Sequence, residues 1–209
     1  MIYEYFIILY KMTLITIDGN IGCGKSYILN YLHRNFKVPI DLEPVENWNS
    51  FLEKLYNSQK EIFKFQVRIW LDRCWIQENL EDINMLIERS PYFIKNTFIK
   101  MAYDDKLITD NEYEILMKLH KKTDYLWTSN YYIYLRSSPD HCYNRMKKRN
   151  RFCEKNISLD YLKKLHQYHE ETLKKAIENK MNVKVINVDE VTTIEIANEI
   201  IELLTNKEF

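Results

Sequence analysis

A chain of 209 residues is long enough for one domain with a complete hydrophobic core. Lysine plus arginine and aspartate plus glutamate both number 30, so no overall positive charge draws the chain to nucleic acids or membrane surfaces. The four cysteines have no C-x-x-C spacing, which excludes a disulfide framework and a cysteine metal site and indicates a reducing, cytoplasmic setting.

The predicted elements alternate between strands and helices along the chain. In order they are a strand at 13–17, a helix at 26–36, a strand at 37–42, helices at 49–57 and 60–82, a strand at 84–88, helices at 91–104 and 110–122, a strand at 131–135, a helix from 139, a helix at 158–180, a strand at 183–188 and a helix at 192–205. This alternation predicts an α/β fold with a parallel five-stranded sheet and helices on both faces. We expect residues 1–11 to be a dispensable N-terminal extension and residues 12–209 to form a single domain. The longest apolar run, at 5–10, is too short to cross a membrane.

All three glycines of the chain lie between the first strand and the first helix, at Gly19, Gly22 and Gly24. The pattern G-x-x-x-x-G-K-S ends at Lys25 and Ser26 and is that of the P-loop. In a P-loop, backbone N–H groups surround phosphates, the lysine reaches the β- and γ-phosphates and the serine hydroxyl binds Mg²⁺. We therefore predict an ATP site with Mg²⁺. Its loop residues are Gly19, Asn20, Ile21, Gly22, Cys23, Gly24, Lys25 and Ser26.

Charged side chains follow the next strands, where the site of a parallel sheet is expected. Glu43-Pro-Val-Glu-Asn-Trp48 comes after the second strand and Glu88-Arg-Ser90 after the third, while a basic run spans Arg145–Arg151. Taken singly, each has an ordinary structural interpretation. Glu43 before a proline can end a strand, Trp48 can belong to the core, and the basic run can be a solvated helix face.

Taken together, these blocks resemble the deoxynucleoside kinase family, which includes the insect multisubstrate enzyme, deoxycytidine and deoxyguanosine kinases and mitochondrial thymidine kinase. The resemblance covers the chain from about residue 13 to 189. Its blocks are Gly-Asn-Ile-Gly-Cys-Gly-Lys-Ser, Glu-Pro-Val-Glu-Asn-Trp, Phe-Gln, Glu-Arg-Ser, Tyr-Leu-Arg-Ser-Ser-Pro, Cys-Tyr-Asn-Arg-Met-Lys-Lys-Arg-Asn-Arg and Tyr-Leu-Lys-Lys-Leu-His-Gln-Tyr-His-Glu. It implies a P-loop kinase fold with a short basic lid. The implied activity is transfer of the ATP γ-phosphoryl group to the 5′-hydroxyl of a deoxynucleoside, in nucleotide salvage.

The resemblance implies roles for the residues around the phosphates. Glu43 matches the general base for the 5′-hydroxyl, and Arg89 matches the arginine that holds this hydroxyl and the transferred phosphoryl group, with Lys25 as their catalytic partner. Glu88 resembles the acidic residue that orders Mg²⁺, with Ser26 as its direct ligand. The lid over the ATP phosphates is implied at Arg145, Arg149 and Arg151. Planar guanidinium groups suit that task better than lysine.

On the nucleoside side, Gln66 matches the family's base-reading amide, which offers a donor and an acceptor to one base edge. Trp48 and Phe98 resemble the aromatic residues that flank the base. Tyr56 and Glu154 match the pair that binds the 3′-hydroxyl.

Base choice rests on two departures from the family pattern. Cytidine-type enzymes pair an arginine with an aspartate where this chain has Arg73 and Ile94, and thymidine-competent enzymes carry Met and Ala there. We expect Arg73, left unpaired by Ile94, to donate to a carbonyl such as thymine O4, and Ala102 to leave space beside the base 5-position. This favours thymidine or another pyrimidine. Alternatively, Arg73 forms a salt bridge and takes no part in recognition.

Two other functions are open to a P-loop chain. A nucleoside monophosphate kinase such as thymidylate kinase shares the P-loop and lid, but Glu43 puts a carboxylate where the acceptor phosphate would bind. A non-catalytic nucleotide-binding module would not explain why Glu43, Arg89 and Lys25 occur together.

The resemblance also implies assembly and regulation. The helix containing Gln66 and the helix at 91–104 are expected to pack against a second copy, giving a homodimer with Trp70 or Trp75 at its interface. A deoxynucleoside triphosphate is the expected feedback ligand, and neither nucleic acid nor membrane is an expected partner.

Overall fold

The fold is a computed structural model that describes residues 14–58, 61–74, 85–123, 129 and 131–205. Five strands form one parallel sheet: β1 (Leu14–Asp18), β2 (Ile40–Asp41), β3 (Met85–Glu88), β4 (Tyr131–Arg136) and β5 (Val183–Asn187). Their order in the sheet is β2–β3–β1–β4–β5. The predicted α/β fold with five parallel strands is confirmed.

The described helices are α1 (Lys25–Phe36), α2 (Asn49–Ser58), α3 (Ile62–Cys74), α4 (Pro91–Ile94), α5 (Lys100–Asp104), α6 (Asp110–Thr123), α7 (Pro139–Arg149), α8 (Leu159–Glu178) and α9 (Thr193–Thr205). Two 3₁₀ turns, Val45–Trp48 and Phe152–Glu154, and a π-helical turn, Lys95–Ile99, accompany them. Within these residues, no helix is both long and apolar enough to cross a membrane.

The central strand β1 is buried along its whole length, and helices cover both faces of the sheet beside it. Successive side chains of a strand point to opposite faces. Accordingly, Leu14 packs in the same cluster as Trp48 and Trp70, whereas its neighbour Ile15 packs in the same cluster as Leu29. This explains why β1 has the apolar residues Leu14 and Ile15 side by side instead of alternating apolar and polar residues.

Strand β2 is shorter than the predicted strand at 37–42. Lys37 adopts the left-handed conformation (φ 59°) and donates its N–H to the His33 carbonyl at 3.0 Å, which ends α1. Pro39 has no N–H to donate to a neighbouring strand. Its carbonyl still accepts from the Leu86 N–H at 3.0 Å.

Two predicted helices also differ from those in the structure. The helix at 60–82 is described as α3 up to Cys74, and the remainder lies outside the described residues, as does the extension at 1–11. The helix at 91–104 consists of α4, the π turn and α5 in succession. Ser90 caps its beginning, because the Phe93 N–H donates to the Ser90 hydroxyl at 3.1 Å.

The parallel sheet brings the ends of distant strands to one edge. The P-loop follows β1, Glu43 lies two residues beyond β2, and Arg89 directly follows β3. At the far side of the same edge, Asp189 follows β5 and accepts from the Ser137 hydroxyl beyond β4 at 2.6 Å. Residues more than 150 positions apart in the chain are thereby assembled into one site.

Candidate active site

The glycines of the P-loop are required by close packing as well as by conformation. A Cβ on Gly22 (φ 83°) would lie 2.3 Å from the Cys142 carbonyl oxygen at the start of α7. Gly24 (φ 108°) precedes α1 and has open space where a Cβ would lie. The loop is thus pressed against α7 at Gly22 and open to the cavity side at Gly24.

Lys25 and Ser26 occupy the first turn of α1. The buried Lys25 ammonium donates to the carbonyls of Gly19 (3.1 Å) and Asn20 (3.0 Å) in its own loop. The Ser26 hydroxyl donates to Glu88 Oε1 at 2.7 Å, which joins α1 to the end of β3. Glu88 Oε2 in turn accepts from the Glu43 N–H at 3.3 Å. A hydroxyl, two carboxylates and an ammonium group therefore converge at the helix N-terminus, where the helix dipole favours anions.

Glu43 and Arg89 form a nearly buried ion pair across the ends of β2 and β3. Arg89 Nε donates to Glu43 Oε1 at 2.7 Å, and Arg89 Nη1 donates to the Gly19 carbonyl at 3.3 Å. Burial raises the pKa of Glu43, but the charges of Arg89 and Lys25 outweigh it and hold this pKa below its ordinary value. Glu43 is therefore an ionised carboxylate that can accept a proton.

Asp18 is a site-supporting residue that the sequence analysis missed. Arg89 adopts the left-handed conformation (φ 67°), which is uncommon for a residue with a large side chain. Two bonds to β1 hold this turn: the Arg89 N–H donates to the Ile17 carbonyl at 3.0 Å, and the Ser90 N–H donates to Asp18 Oδ1 at 2.8 Å. Burial raises the pKa of Asp18 to about 6. The signal in the sequence was an acidic residue at the end of a strand that is buried along its whole length.

Lys25, Ser26, Glu43, Glu88 and Arg89 border a cavity of about 850 Å³ that runs past the P-loop. One end is walled by α2, α3 and the helix after β3, and its apolar residues are Val45, Trp48, Leu52, Leu55, Phe65, Ile69, Ile94 and Phe98. The other end is bordered by Arg145, Val188, Val191, Thr193 and Ile196. Tyr27, Asn30 and Arg34 of α1 also line the cavity, and the sequence analysis did not select them.

Gln66 projects a single amide into the apolar end. The residue is 5% exposed, and its Oε1 has no hydrogen-bond partner among the described residues. A buried polar atom without a partner is costly. The amide is therefore positioned to bind a polar edge of a ligand that fills this end.

The aromatic residues selected from the sequence surround this end of the cavity. Trp48 Nε1 donates to Asp72 Oδ2 at 2.7 Å, which fixes the indole against α3. The Arg89 guanidinium lies 4.7 Å from the centre of the Phe98 ring, in the π turn. Tyr56 lines the cavity and contacts Tyr161 edge to face.

Glu154 binds both arginines at the end of the basic run. Arg149 Nη2 lies 2.7 Å from each of its carboxylate oxygens, and Arg151 Nη1 lies 3.4 Å from Oε1. Arg145 is placed differently, because it donates to the Cys23 carbonyl (3.3 Å) of the P-loop and to the Ser137 hydroxyl (3.3 Å). Arg145, Arg149, Arg151 and Glu154 all line the cavity, whereas Ser137 is not among its lining residues.

The structure places three of the expected residues differently, and for Arg73 it supports the alternative of a salt bridge. Arg73 is not left unpaired: it forms an ion pair with Asp41 and donates to the carbonyls of Leu42 (3.0 Å) and Glu88 (3.1 Å). Its guanidinium thus ties α3 to the ends of β2 and β3 and is not among the groups lining the cavity. Ala102 is also absent from the described lining and is buried in the core.

Trp70, expected at an interface, is 2% exposed. Its ring packs 4.1 Å from that of His120, so α3 turns this side chain toward α6. Trp75 lies outside the described residues.

The fit of Mg²⁺ to this site follows from Ser26 and Glu88. Mg²⁺ prefers oxygen ligands and is usually held by one or two protein groups together with substrate phosphates. The adjacent Ser26 hydroxyl and Glu88 carboxylate meet that need beside the P-loop. The part of the chain that the structure describes contains no cluster of three or more His, Cys, Asp or Glu residues able to hold a metal.

Comparisons with known proteins agree with this geometry. The family model described as deoxynucleoside kinase matches residues 15–208. This chain belongs to the deoxynucleoside kinase family. A fowlpox virus protein named as a probable deoxycytidine kinase is 32% identical to it, over 84% of this chain and 77% of the viral protein. The deoxyguanosine kinase of Bacillus subtilis is 29% identical, over 84% of this chain and 85% of its own length.

Solved structures show the same family fold. A structure of the deoxyadenosine kinase of M. mycoides, with dCMP and dCDP bound, superposes with a TM-score of 0.80 at 27% identity, covering 93% of this chain and 99% of that one. These relatives are named as deoxycytidine, deoxyguanosine and deoxyadenosine kinases, so membership of the family does not by itself identify the base.

Proposed function

We propose that this deoxynucleoside kinase transfers the γ-phosphoryl group of ATP to the 5′-hydroxyl of a pyrimidine deoxynucleoside, with thymidine preferred, in nucleotide salvage. The observation that carries the proposal is the Glu43–Arg89 pair, which faces the P-loop between the two ends of the cavity. A monophosphate acceptor would bring its phosphate against the ionised Glu43, which disfavours the monophosphate kinase alternative.

In the proposed reaction, Glu43 accepts the proton of the 5′-hydroxyl. Arg89 and Lys25 stabilise the charge on the transferred phosphoryl group, as cationic groups do in phosphoryl transfer. Mg²⁺ bound at Ser26 and Glu88 would neutralise phosphate charge. Arg145, Arg149 and Arg151 bind the ATP phosphates from the lid, and Tyr56 with Glu154 binds the 3′-hydroxyl.

The preference for thymidine rests on Gln66 and Ile94. The Gln66 amide can accept from thymine N3–H and donate to a neighbouring carbonyl, which satisfies that edge with one side chain. Cytosine has an amino group with two N–H donors. The second would meet the apolar Ile94 without an acceptor, and a buried donor left unpaired is costly. Because Arg73 is committed to Asp41 and two backbone carbonyls, it has no part in this proposal.

Steady-state turnover of the four natural deoxynucleosides with ATP and Mg²⁺ tests the function. We expect the highest kcat/KM for thymidine. Ile94→Asp should move the thymidine-to-deoxycytidine ratio toward deoxycytidine by about ten- to a hundredfold, because the new carboxylate accepts the second amino N–H. Ile94→Val keeps the pocket apolar and should preserve the ratio. A wild type that prefers deoxycytidine, or an Ile94→Asp enzyme with the wild-type ratio, would contradict the base assignment.

We also propose a homodimer, but with α6 beside α3 in place of the expected helix at 91–104, whose apolar side chains are buried or half-buried. Leu71 on α3 and Ile115 on α6 are 54% and 52% exposed, although both are large apolar residues, and α3 packs against α6. Exposed apolar side chains on two helices that pack together suit an isologous contact. Sedimentation at micromolar concentration should give twice the chain mass, and Leu71→Glu should shift it to one chain. A single-chain mass for the wild type would rule out the dimer.

Feedback by a deoxynucleoside triphosphate, and a reducing cellular setting, complete the proposal. A structure of the M. mycoides deoxyadenosine kinase contains dCTP. Here one continuous cavity joins the nucleoside end to the P-loop, a shape that suits a nucleoside with its own triphosphate.

Cys23, Cys142 and Cys153 are free buried thiols, which suits a reducing compartment.

A further inference from the structure

The single carboxylate of Glu154 binds two positively charged side chains, Arg149 and Arg151. Its side chain is 8% exposed, and it binds Arg149 through both oxygens while Arg151 approaches one of them. The side chains of Arg149 and Arg151 are about one-third exposed. The lid arginines, Arg149 and Arg151, are thus held by a buried carboxylate at the wall of the cavity.

The proposed function gives these three residues conflicting tasks. Arg149 and Arg151 are needed at the ATP phosphates, and Glu154 is needed at the nucleoside 3′-hydroxyl. Arg149 binds Glu154 through Nη2 alone and Arg151 through Nη1 alone, so each guanidinium keeps other donors, but the carboxylate fixes where the groups lie. Their departure would leave Glu154 buried and unpaired, which is strongly unfavourable. The lid arginines therefore need a replacement donor at Glu154 before they can leave it.

We propose that Glu154 couples the two substrates: a nucleoside 3′-hydroxyl that donates to Glu154 weakens its hold on Arg149 and Arg151 and frees them for the ATP phosphates. This proposal rests on the proposed function. The 3′-hydroxyl then has two roles: it helps to bind the nucleoside, and it releases the lid arginines only when the nucleoside is bound. By linkage, each substrate increases the affinity of the other by the same factor.

A pair of nucleosides tests the coupling in the wild-type enzyme. The dissociation constant of a non-hydrolysable ATP analogue with Mg²⁺ is measured by calorimetry, alone and with saturating thymidine or 2′,3′-dideoxythymidine. We expect thymidine to tighten the analogue about tenfold, within the usual range of coupling between sites. The dideoxy compound, which lacks the 3′ donor, should leave it unchanged. Equal tightening by both nucleosides would overturn the proposal.

Glu154→Gln tests the hold on the arginines without any nucleoside. A neutral amide binds two guanidinium groups weakly, so this variant should bind the ATP analogue about tenfold more tightly than the wild type does when each is alone. A residue that only supports the fold would weaken ATP binding when changed. Analogue binding that is unchanged or weaker in a folded Glu154→Gln protein would contradict the proposal.

Glu170→Gln is the matched control. Glu170 accepts from Arg136 through both oxygens, at 3.1 and 2.7 Å, but is not among the residues described as lining the cavity. Its replacement removes a comparable pair and should leave analogue binding and its response to thymidine as in the wild type. If the wild type phosphorylates no deoxynucleoside, the proposed function fails, while the Glu154→Gln comparison still decides whether the carboxylate restrains the lid arginines.

Discussion

At the scale of single residues, the site depends on charges that compensate one another. Glu43, Glu88 and Glu154 are carboxylates at the cavity, and each has a partner: Arg89, Ser26 and the lid arginines respectively. Burial alone would favour the protonated form of Glu43. The same contacts that stabilise the site therefore keep Glu43 ionised for the proton transfer proposed for it.

Glu43→Gln measures this role directly. An amide of nearly the same size cannot accept the hydroxyl proton, so we expect kcat to fall by about a hundredfold or more while nucleoside affinity changes little. Glu46→Gln is the matched control, because Glu46 lies in the same segment but is exposed. Both variants are assayed by steady-state kinetics and nucleoside titration. A Glu43→Gln enzyme with nearly wild-type kcat would remove Glu43 from the base role.

At the scale of elements, the sequence predicted what local patterns determine. The P-loop residues and the alternation of strands and helices could be recognised because apolar runs and glycine spacing are local properties. The order of the sheet then brought Glu43 and Arg89 to one edge, as parallel topology requires. The π turn at Lys95–Ile99 has no comparable signal, although it carries Phe98 toward Arg89.

What the sequence could not predict depends on contacts between distant segments. Arg73 meets Asp41 across 32 positions, and Trp70 meets His120 across 50. The spacing of residues in the sequence indicates neither partner. The sequence therefore led us to expect Arg73 to contact the nucleoside base and Trp70 to lie at a dimer interface. Asp18 was missed for the same reason, since its role depends on Ser90 at the end of another strand.

At the scale of the whole molecule, two buried histidines link folding to pH. Burial, with a smaller contribution from Lys95, lowers the pKa of His120 to about 3. Burial, and then the charge of Arg89, holds the pKa of His169 well below its ordinary value. In the unfolded chain both titrate near pH 6.5. The unfolded state therefore binds more protons below that pH, and acid destabilises the folded protein.

Asp18 acts in the opposite direction. Its folded pKa of about 6 lies above the unfolded value, so the folded state gains this proton first as the pH falls. Between pH 7.5 and pH 5 the protonation of His120 should cost about 2 kcal/mol of stability, His169 should add to this loss, and Asp18 should return about 1 kcal/mol. The net expectation is a loss of stability toward acid.

Urea unfolding of the wild type and two variants at pH 7.5 and pH 5 tests this expectation. His120→Phe keeps a ring against Trp70 but removes the titrating group, so its loss of unfolding free energy between the two pH values should be smaller by about 2 kcal/mol. His33→Gln replaces an exposed histidine and should show the wild-type loss. If His120→Phe loses as much stability toward acid as the wild type, then His120 is protonated as readily in the folded chain as in the unfolded one, and the acid sensitivity has another source.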